Sequence, residues 1–226
     1  MNFNSYLFRC HSLGDITSND KSRKGMGLTC MKKLIELQRE QKYGISKSIE
    51  NDYINKGLEV EPEAIRFYSL YKFNDYKKNE KTYSNEFITG TPDIISDEYV
   101  IDIKSAWTIQ TMPHKLLPYD KSYYAQLQGY MWLTGLRRAI LAHVLVGTPE
   151  SIIEKRKYNL QFRSNHIDVS LDEEYNELCE QLDREADVSY IPTNERIVEY
   201  EFEYDEPFVE SLINRVNECR IFMNNL

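Results

Sequence analysis

Apolar and polar positions change period several times along the chain, and the changes mark its elements. The first 25 residues are polar and broken by Gly14 and Gly25. A helix is expected from about Leu28 to Gln41. A second runs from about Ser48 to Lys72, where Ile54, Leu58, Glu61, Ile65 and Tyr68 recur at helical spacing. Pro62 lacks a backbone donor and should kink or restart that helix. The period then shortens, and Thr82 to Thr89, Thr91 to Ser96 and Tyr99 to Ser105 read as three strands. Beyond Pro113 and Pro118 a helix is expected over Lys121 to Thr134. Ala139 to Val146 is a nearly unbroken apolar run of strand length, as a strand buried on both faces requires. Helices follow at 150–157, 172–186 and 206–224, with a strand near 196–203. The stripe Tyr175, Leu178, Leu182 and Ala186 is expected to cover the sheet. Ile213, Val216, Arg220 and Met223 mark a packing helix.

This order gives an α/β fold with an αβββαβ core and a mixed sheet flanked by helices. With 226 residues, the expectation is one domain over 1–226, with its core at about 50–147 and additions at 1–49 and 148–226. No apolar run approaches the roughly 20 residues of a spanning helix, and the start at Met1 lacks the order of a signal peptide. A cytoplasmic protein with no membrane partner is therefore expected. Cys10, Cys30, Cys179 and Cys219 are scattered; without a C-x₂₋₄-C pair they give a zinc site little support.

Net charge changes the picture more. At -8, from 36 acidic and 28 basic residues, the chain does not suit charge-driven coating of DNA. A local basic track can still coexist with an acidic back face. Its candidates are Lys21-Ser22-Arg23-Lys24, Lys32-Lys33, Arg137-Arg138 and Lys155-Arg156-Lys157; each alone reads as a solvated surface run.

Residues 90–104, GTPDIISDEYVIDIK, carry the chemistry. If Asp97-Glu98 is a two-residue turn, Ile95 faces Val100, Ile94 faces Ile101 and Asp93 faces Asp102. Opposed residues share a face, with Cβ atoms roughly 5 Å apart. Lys104, two residues beyond Asp102, shares it too, while Ile94, Ile101 and Ile103 turn to the core. Two carboxylates and an ammonium so converge. Facing carboxylates repel unless a cation joins them, and Mg²⁺ takes hard oxygen ligands. Lys104 can then hold a scissile phosphate, position the attacking water, or offset charge in the transition state. D-x-K alone is common. P-D nine residues before D-x-K, across a short hairpin, is more selective.

Two features strengthen it. Glu61 interrupts an apolar stripe, and a carboxylate facing the core needs a partner or a metal. Gln126 and Tyr130 lie four apart on one helix face, where they can orient a metal-bound water or a phosphate. The histidines, His11, His114, His143 and His166, are isolated and read as structural.

Together, Glu61, Pro92-Asp93, Asp102-Ile103-Lys104 and Gln126-x-x-x-Tyr130 resemble the PD-(D/E)XK nucleases. The closer resemblance is to the YqaJ-type viral recombinases and lambda exonuclease relatives, within the RecB-like group. It covers roughly residues 55–146. The segment from Phe8 to Ile16 is similar to an early serine-containing stretch of the family that contacts DNA phosphates, which makes Arg9 and Ser12 candidates for that contact.

The resemblance implies a restriction-endonuclease-like core. It implies Asp93, Asp102, Glu61 and the Ile103 carbonyl around Mg²⁺, or Mn²⁺, and Lys104 as the catalytic lysine. It implies hydrolysis of DNA phosphodiesters to 5′-phosphates, in the lambda-like branch 5′→3′ from double-stranded ends, for phage-type recombination with a single-strand annealing protein and a homo-oligomer as partners. Asp102 stands where glutamate is commoner. The grouped cysteines of the iron–sulfur members are absent. A structure-specific or restriction-type endonuclease, and a catalytically silent DNA-binding module, remain as alternatives on the same fold.

Overall fold

A computed structural model describes residues 2–22, 25–46, 51–164 and 172–226. Arg23, Lys24, His166 and the expected helix start at Ser48 lie outside them. The chain opens with strand β1 (Phe8–Arg9), a 3-10 turn (Cys10–Ser12) and a short helix α1 (Leu13–Ile16). Helices α2 (Leu28–Tyr43) and α3 (Asp52–Tyr71) follow, then strands β2 (Tyr83–Ser84), β3 (Ile88–Gly90), β4 (Ile94–Ile95) and β5 (Tyr99–Ser105). Next come α4 (Lys121–Thr134), β6 (Arg138–Val144), α5 (Glu150–Ser164), α6 (Glu173–Ala186), β7 (Ile197–Glu203) and α7 (Glu206–Asn224). Among the described residues, no helix is long and apolar enough to cross a membrane.

The helix ends follow side-chain chemistry. Asn51, Asp120 and Asp205 each accept a backbone N–H in the first turn of α3, α4 and α7, satisfying donors the helix itself leaves unpaired. Gly135, at φ 78°, closes α4 with its N–H on the Met131 carbonyl, a left-handed position that glycine adopts without strain. Pro62 does not restart α3: the helix runs through it.

Two sheets form. The main one has the order β4-β5-β6-β7, with β5 and β6 parallel and the outer pairs antiparallel. It is the expected mixed sheet. The expected strand over Thr82 to Thr89 is instead a hairpin, β2 and β3, joined to β1 in a three-stranded sheet. Its turn is made by Asn85, whose side chain accepts the Phe87 and Ile88 N–H groups at 2.9 Å; this local bonding competes with an extended ladder.

Alternation along β5 and β6 divides the core. Val100, Ala139 and Leu141 pack with α4 and α7 through Leu127, Met131, Leu212 and Val216. Ile94, Ile101, Ile103, Ile140 and Ala142 pack with α3 through Val60, Ala64, Ile65 and Tyr68. The apolar run at 139–146 is therefore buried on both faces, as expected. Burying each isoleucine contributes roughly 1.5–3 kcal/mol, and this fixes the register of β4 on β5. A one-residue slip of β4 would turn Ile94 away from the α3 core and Asp93 into it.

The C-terminal helices divide. Val216, Cys219 and Met223 are buried in the first core, as the α7 stripe implies. The α6 stripe does not cover the sheet: α6 has no buried residue and packs on α5. The heavy acidic content of α6 suits a solvent-facing hairpin partner better than a sheet cover.

Candidate active site

The hairpin at 93–104 has the register that its sequence predicts, with Ile94 opposite Ile101 and Ile95 opposite Val100. Ser96 closes the turn, its N–H donating to the Tyr99 carbonyl at 2.9 Å and its Oγ accepting the Tyr99 N–H at 2.9 Å. Asp93 thereby comes level with Asp102, and its Oδ2 accepts the Ile103 N–H at 2.7 Å. Asp102 is only 1% exposed. Its Oδ1 accepts from Gln126 Nε2 at 3.2 Å, and the same nitrogen donates to the Tyr130 hydroxyl at 3.0 Å. Gln126 thus holds the carboxylate, and Tyr130, one helical turn along α4, holds Gln126.

Asp102 Oδ2 is buried and has no hydrogen bond; the Lys104 ammonium, 2.8 Å away, forms an ion pair with it outside hydrogen-bonding geometry. Burial and the facing Asp102 push the Asp93 carboxyl up to about 7, against the opposing pull of Lys104 and the Ile103 N–H. Burial disfavours the Lys104 ammonium, yet Asp102 and Asp93 outweigh it and hold its pKa above the ordinary lysine value. Lys104 Nζ also lies 5.4 Å from the Tyr123 ring centroid. The arrangement sets two carboxylates against one ammonium, and that ammonium is the only partner Asp102 Oδ2 has among the described residues.

Asp93, Ile103, Lys104 and Tyr123 line a cleft of about 600 Å³ between α3 and the end of β5, with Asp102 buried behind them. Glu61 lines it, but its carboxylate pairs with Lys78 Nζ at 3.0 Å, so the partner that its position demanded is a lysine. Ile54 and Leu58, expected to face the core with it, are 42% and 68% exposed; they line the cleft mouth instead, because the first half of α3 overhangs the sheet edge. Arg9 is exposed on β1, whereas Ser12 is 2% exposed, so its hydroxyl is shut away from any phosphate outside.

The other basic runs are mostly consumed by pairing. Arg156 and Lys157 contact Asp52 and Asp183 at 3.2 and 2.8 Å. Arg138 pairs with Glu98 and Glu201 at the opposite end of β6 from the site.

Among the described residues, no three His, Cys, Asp or Glu side chains form a ready metal cage. The protein offers two carboxylates, Asp93 and Asp102, with the Ile103 carbonyl adjacent in sequence. Hard oxygen donors that stay short of a full cage suit a cation that keeps several waters. Two facing carboxylates against one ammonium, and the raised Asp93 pKa, mark a place where a cation would relieve the charge.

No protein-family model matches the sequence, and neither does any curated protein. Solved structures do. A phage-related exonuclease from Haemophilus somnus 129PT superposes with a TM-score of 0.76 at 26% identity, covering 98% of this chain and 95% of the other. The chain carries the PD-(D/E)XK fold of the phage-type exonucleases. An alkaline exonuclease from Laribacter hongkongensis shares this fold at 15% identity and TM-score 0.63, over 98% of this chain and 90% of that one. The same enzyme in complex with dAMP aligns at 14% identity and TM-score 0.62.

On this phage-exonuclease fold, two cleft residues and a buried lysine behind them are not signalled by the sequence pattern. His143 sits beside Lys104 in the β5–β6 register and lines the cleft. Burial, then Lys104, pushes its imidazole down to about 4, so it is neutral. Trp107 is enclosed by Tyr53, Arg156 and Lys56. Lys56 itself is 1% exposed and donates to the Trp107 carbonyl at 2.8 Å; burial draws its pKa down to about 8. A lysine within a mixed helical stripe gives no signal of such burial. A histidine at the penultimate position of an apolar strand was the one available clue for His143.

Proposed function

We propose that this chain is a DNA exonuclease that hydrolyses phosphodiester bonds with a divalent cation, Mg²⁺ or Mn²⁺, bound by Asp93 and Asp102. The observation that carries this reading is the convergence of two facing carboxylates and one ammonium at the base of an open cleft that Asp93 and Lys104 line, on a fold shared over nearly the whole chain with a protein described as a phage-related exonuclease. Asp93, Asp102 and the Ile103 carbonyl would hold the cation, with Glu61 released from Lys78 to support its waters. When bound, the cation supplies Lewis-acid activation of the phosphate and of water.

The protein's own groups do the rest. Gln126 and Tyr130 fix Asp102 so that it cannot turn away. Lys104 stays charged, orients the attacking water and stabilises the negative charge that grows on the phosphoryl oxygens. A bond forms from the water oxygen to phosphorus, the bond from phosphorus to the 3′ oxygen breaks, and that oxygen leaves with a proton. The product end is a 5′-phosphate. The neutral His143 beside Lys104 adds no second cation to compete for the phosphate.

The substrate is a double-stranded DNA end, digested 5′→3′ in phage-type recombination, and Arg9 is the N-terminal residue open to a phosphate. A single-strand annealing protein and further copies of this chain are the proposed partners; sedimentation with and without DNA tests self-association. The function is tested with wild type and Lys104→Ala on end-labelled linear and closed-circular duplex DNA, in Mg²⁺ and in EDTA. Metal-dependent shortening of the linear form alone, lost in the variant, is expected, and the label released first reads the polarity. Nicked or linearised circles would make the protein an endonuclease. Binding without turnover in either metal would make it a silent module.

A further inference from the structure

Gly57 sits inside α3, where glycine is less favourable than alanine, so something other than the helix selects it. Its φ is not positive. A Cβ placed on it meets no heavy atom within 4 Å, so no close packing inside the protein selects it. Gly129, in the middle of α4, makes the contrast: a Cβ there would lie 2.6 Å from Leu13 Cδ1, and packing alone explains that glycine. The space over Gly57 opens into the cleft, whose walls include Gly57, Leu58 and Glu61 on α3, and Asp93 and Lys104 on the sheet. Gly57 and Glu61 are four apart and share a helix face. The adjacent Lys56, buried with its ammonium on the Trp107 carbonyl, locks the rotation of α3 and so keeps Gly57 turned to the cleft.

We propose that Gly57 is a substrate-contact position: the deoxyribose–phosphate strand being cut crosses α3 there, one turn from Glu61, and the missing Cβ sets how closely it approaches the carboxylates and Lys104. The ligand class follows from the surroundings. The Lys104 ammonium favours an anionic group. The wall that continues away from it is apolar and aromatic, through Ile54, Leu58, Tyr53 and Trp107, which suits the sugar edge and base of a nucleotide more than a second phosphate. This inference rests on the nuclease reading and deepens it.

The test uses Gly57→Ala and Gly57→Leu in the full chain. Melting temperature, digestion of a 5′-phosphorylated linear duplex in Mg²⁺, and anisotropy of a fluorescein-labelled duplex in EDTA are measured on each. For Gly57→Ala, Tm should rise by about 2–4 °C, since alanine favours the helix. Its KM should rise about tenfold with kcat changed less, the size of effect that one misplaced methyl group has in a binding pocket. Gly57→Leu should keep or raise Tm, weaken duplex binding in EDTA and stop digestion. Wild-type KM and binding in both variants would overturn the inference, as would loss of activity accompanied by a fall in Tm, which would make the glycine structural. A wild type that binds duplex in EDTA but never digests it would sink the nuclease reading, and the binding arm would still decide whether Gly57 contacts DNA.

Discussion

Replacing Asp93 by asparagine should stabilise the metal-free protein above neutral pH while destroying its function. Asp93 has its pKa raised from 3.8 to about 7, by burial first and by Asp102 second. The folded state therefore keeps a proton that the unfolded state has released between those values. The folded state binds more protons in this window, so stability falls as pH rises from about 4 to about 7 and is level above it. The difference, 7 minus 3.8, is about 3 pH units, worth roughly 4 kcal/mol at 1.36 kcal/mol per unit as an upper bound; for a group at the cleft edge, about 2–4 kcal/mol is a fair range. Asparagine keeps an oxygen to accept the Ile103 N–H and removes the charge. Urea unfolding of wild type and Asp93→Asn in EDTA, at pH 5, 6, 7 and 8, reads this residue together with its coupling to Asp102 and Lys104, because more distant titrating groups cancel in the difference. The variant should match wild type near pH 5 within about 1–2 kcal/mol and exceed it at pH 8 by about 2–4 kcal/mol. Mg²⁺ should stabilise wild type at pH 8 and leave the variant nearly unmoved. Parallel pH profiles, or a variant less stable than wild type at pH 8, would refute the account of Asp93 as a strained carboxylate awaiting a cation.

Other perturbations probe the surrounding groups. Lys104→Ala strips the buried Asp102 carboxylate of its ion-pair partner, so Tm should fall in EDTA and partly recover in Mg²⁺, where kcat on linear duplex should still be lower by on the order of 10³-fold or more, since charge stabilisation made in the transition state is lost; a loss confined to KM would assign Lys104 to binding alone. Gln126→Leu removes the donor that holds Asp102, so metal affinity should weaken about 10–100-fold, read by Mn²⁺ titration calorimetry against an unchanged far-ultraviolet circular dichroism spectrum. Gly90→Ala places a Cβ 2.7 Å from both Cys10 Sγ and Tyr130 Cε1; it should cost about 1–3 kcal/mol, and adding Cys10→Ala should recover part of that in a double-mutant cycle of urea unfolding.

What the sequence revealed, and what it hid, follows from how far each feature depends on local pattern. The Asp93–Asp102–Lys104 spot was legible because a strand period of two, a two-residue turn and three isoleucines that must go inward leave one register. Gln126 and Tyr130 were legible as a helical pair, and their tie to Asp102 follows once α4 lies on the β5 face that carries Asp102. The split of residues 82–89 into a hairpin was not legible, because the choice rests on one side chain, Asn85, capturing two backbone donors. The orientation of the first half of α3 was not legible either. Ile54 and Leu58 have the spacing of core residues, yet the sheet ends beneath them and leaves them facing open space.

The same overhang explains the rest of the cleft. Because α3 extends past the sheet, it needs an anchor there, and Lys56 on the Trp107 carbonyl supplies one; because that anchor is a buried ammonium, it tolerates no slack in the segment after β5. The residues that shape access to the carboxylates are thus set by where one helix outruns one sheet. A pattern of hydrophobic and polar positions records which face of a helix is apolar. It does not record where the surface beneath that face comes to an end.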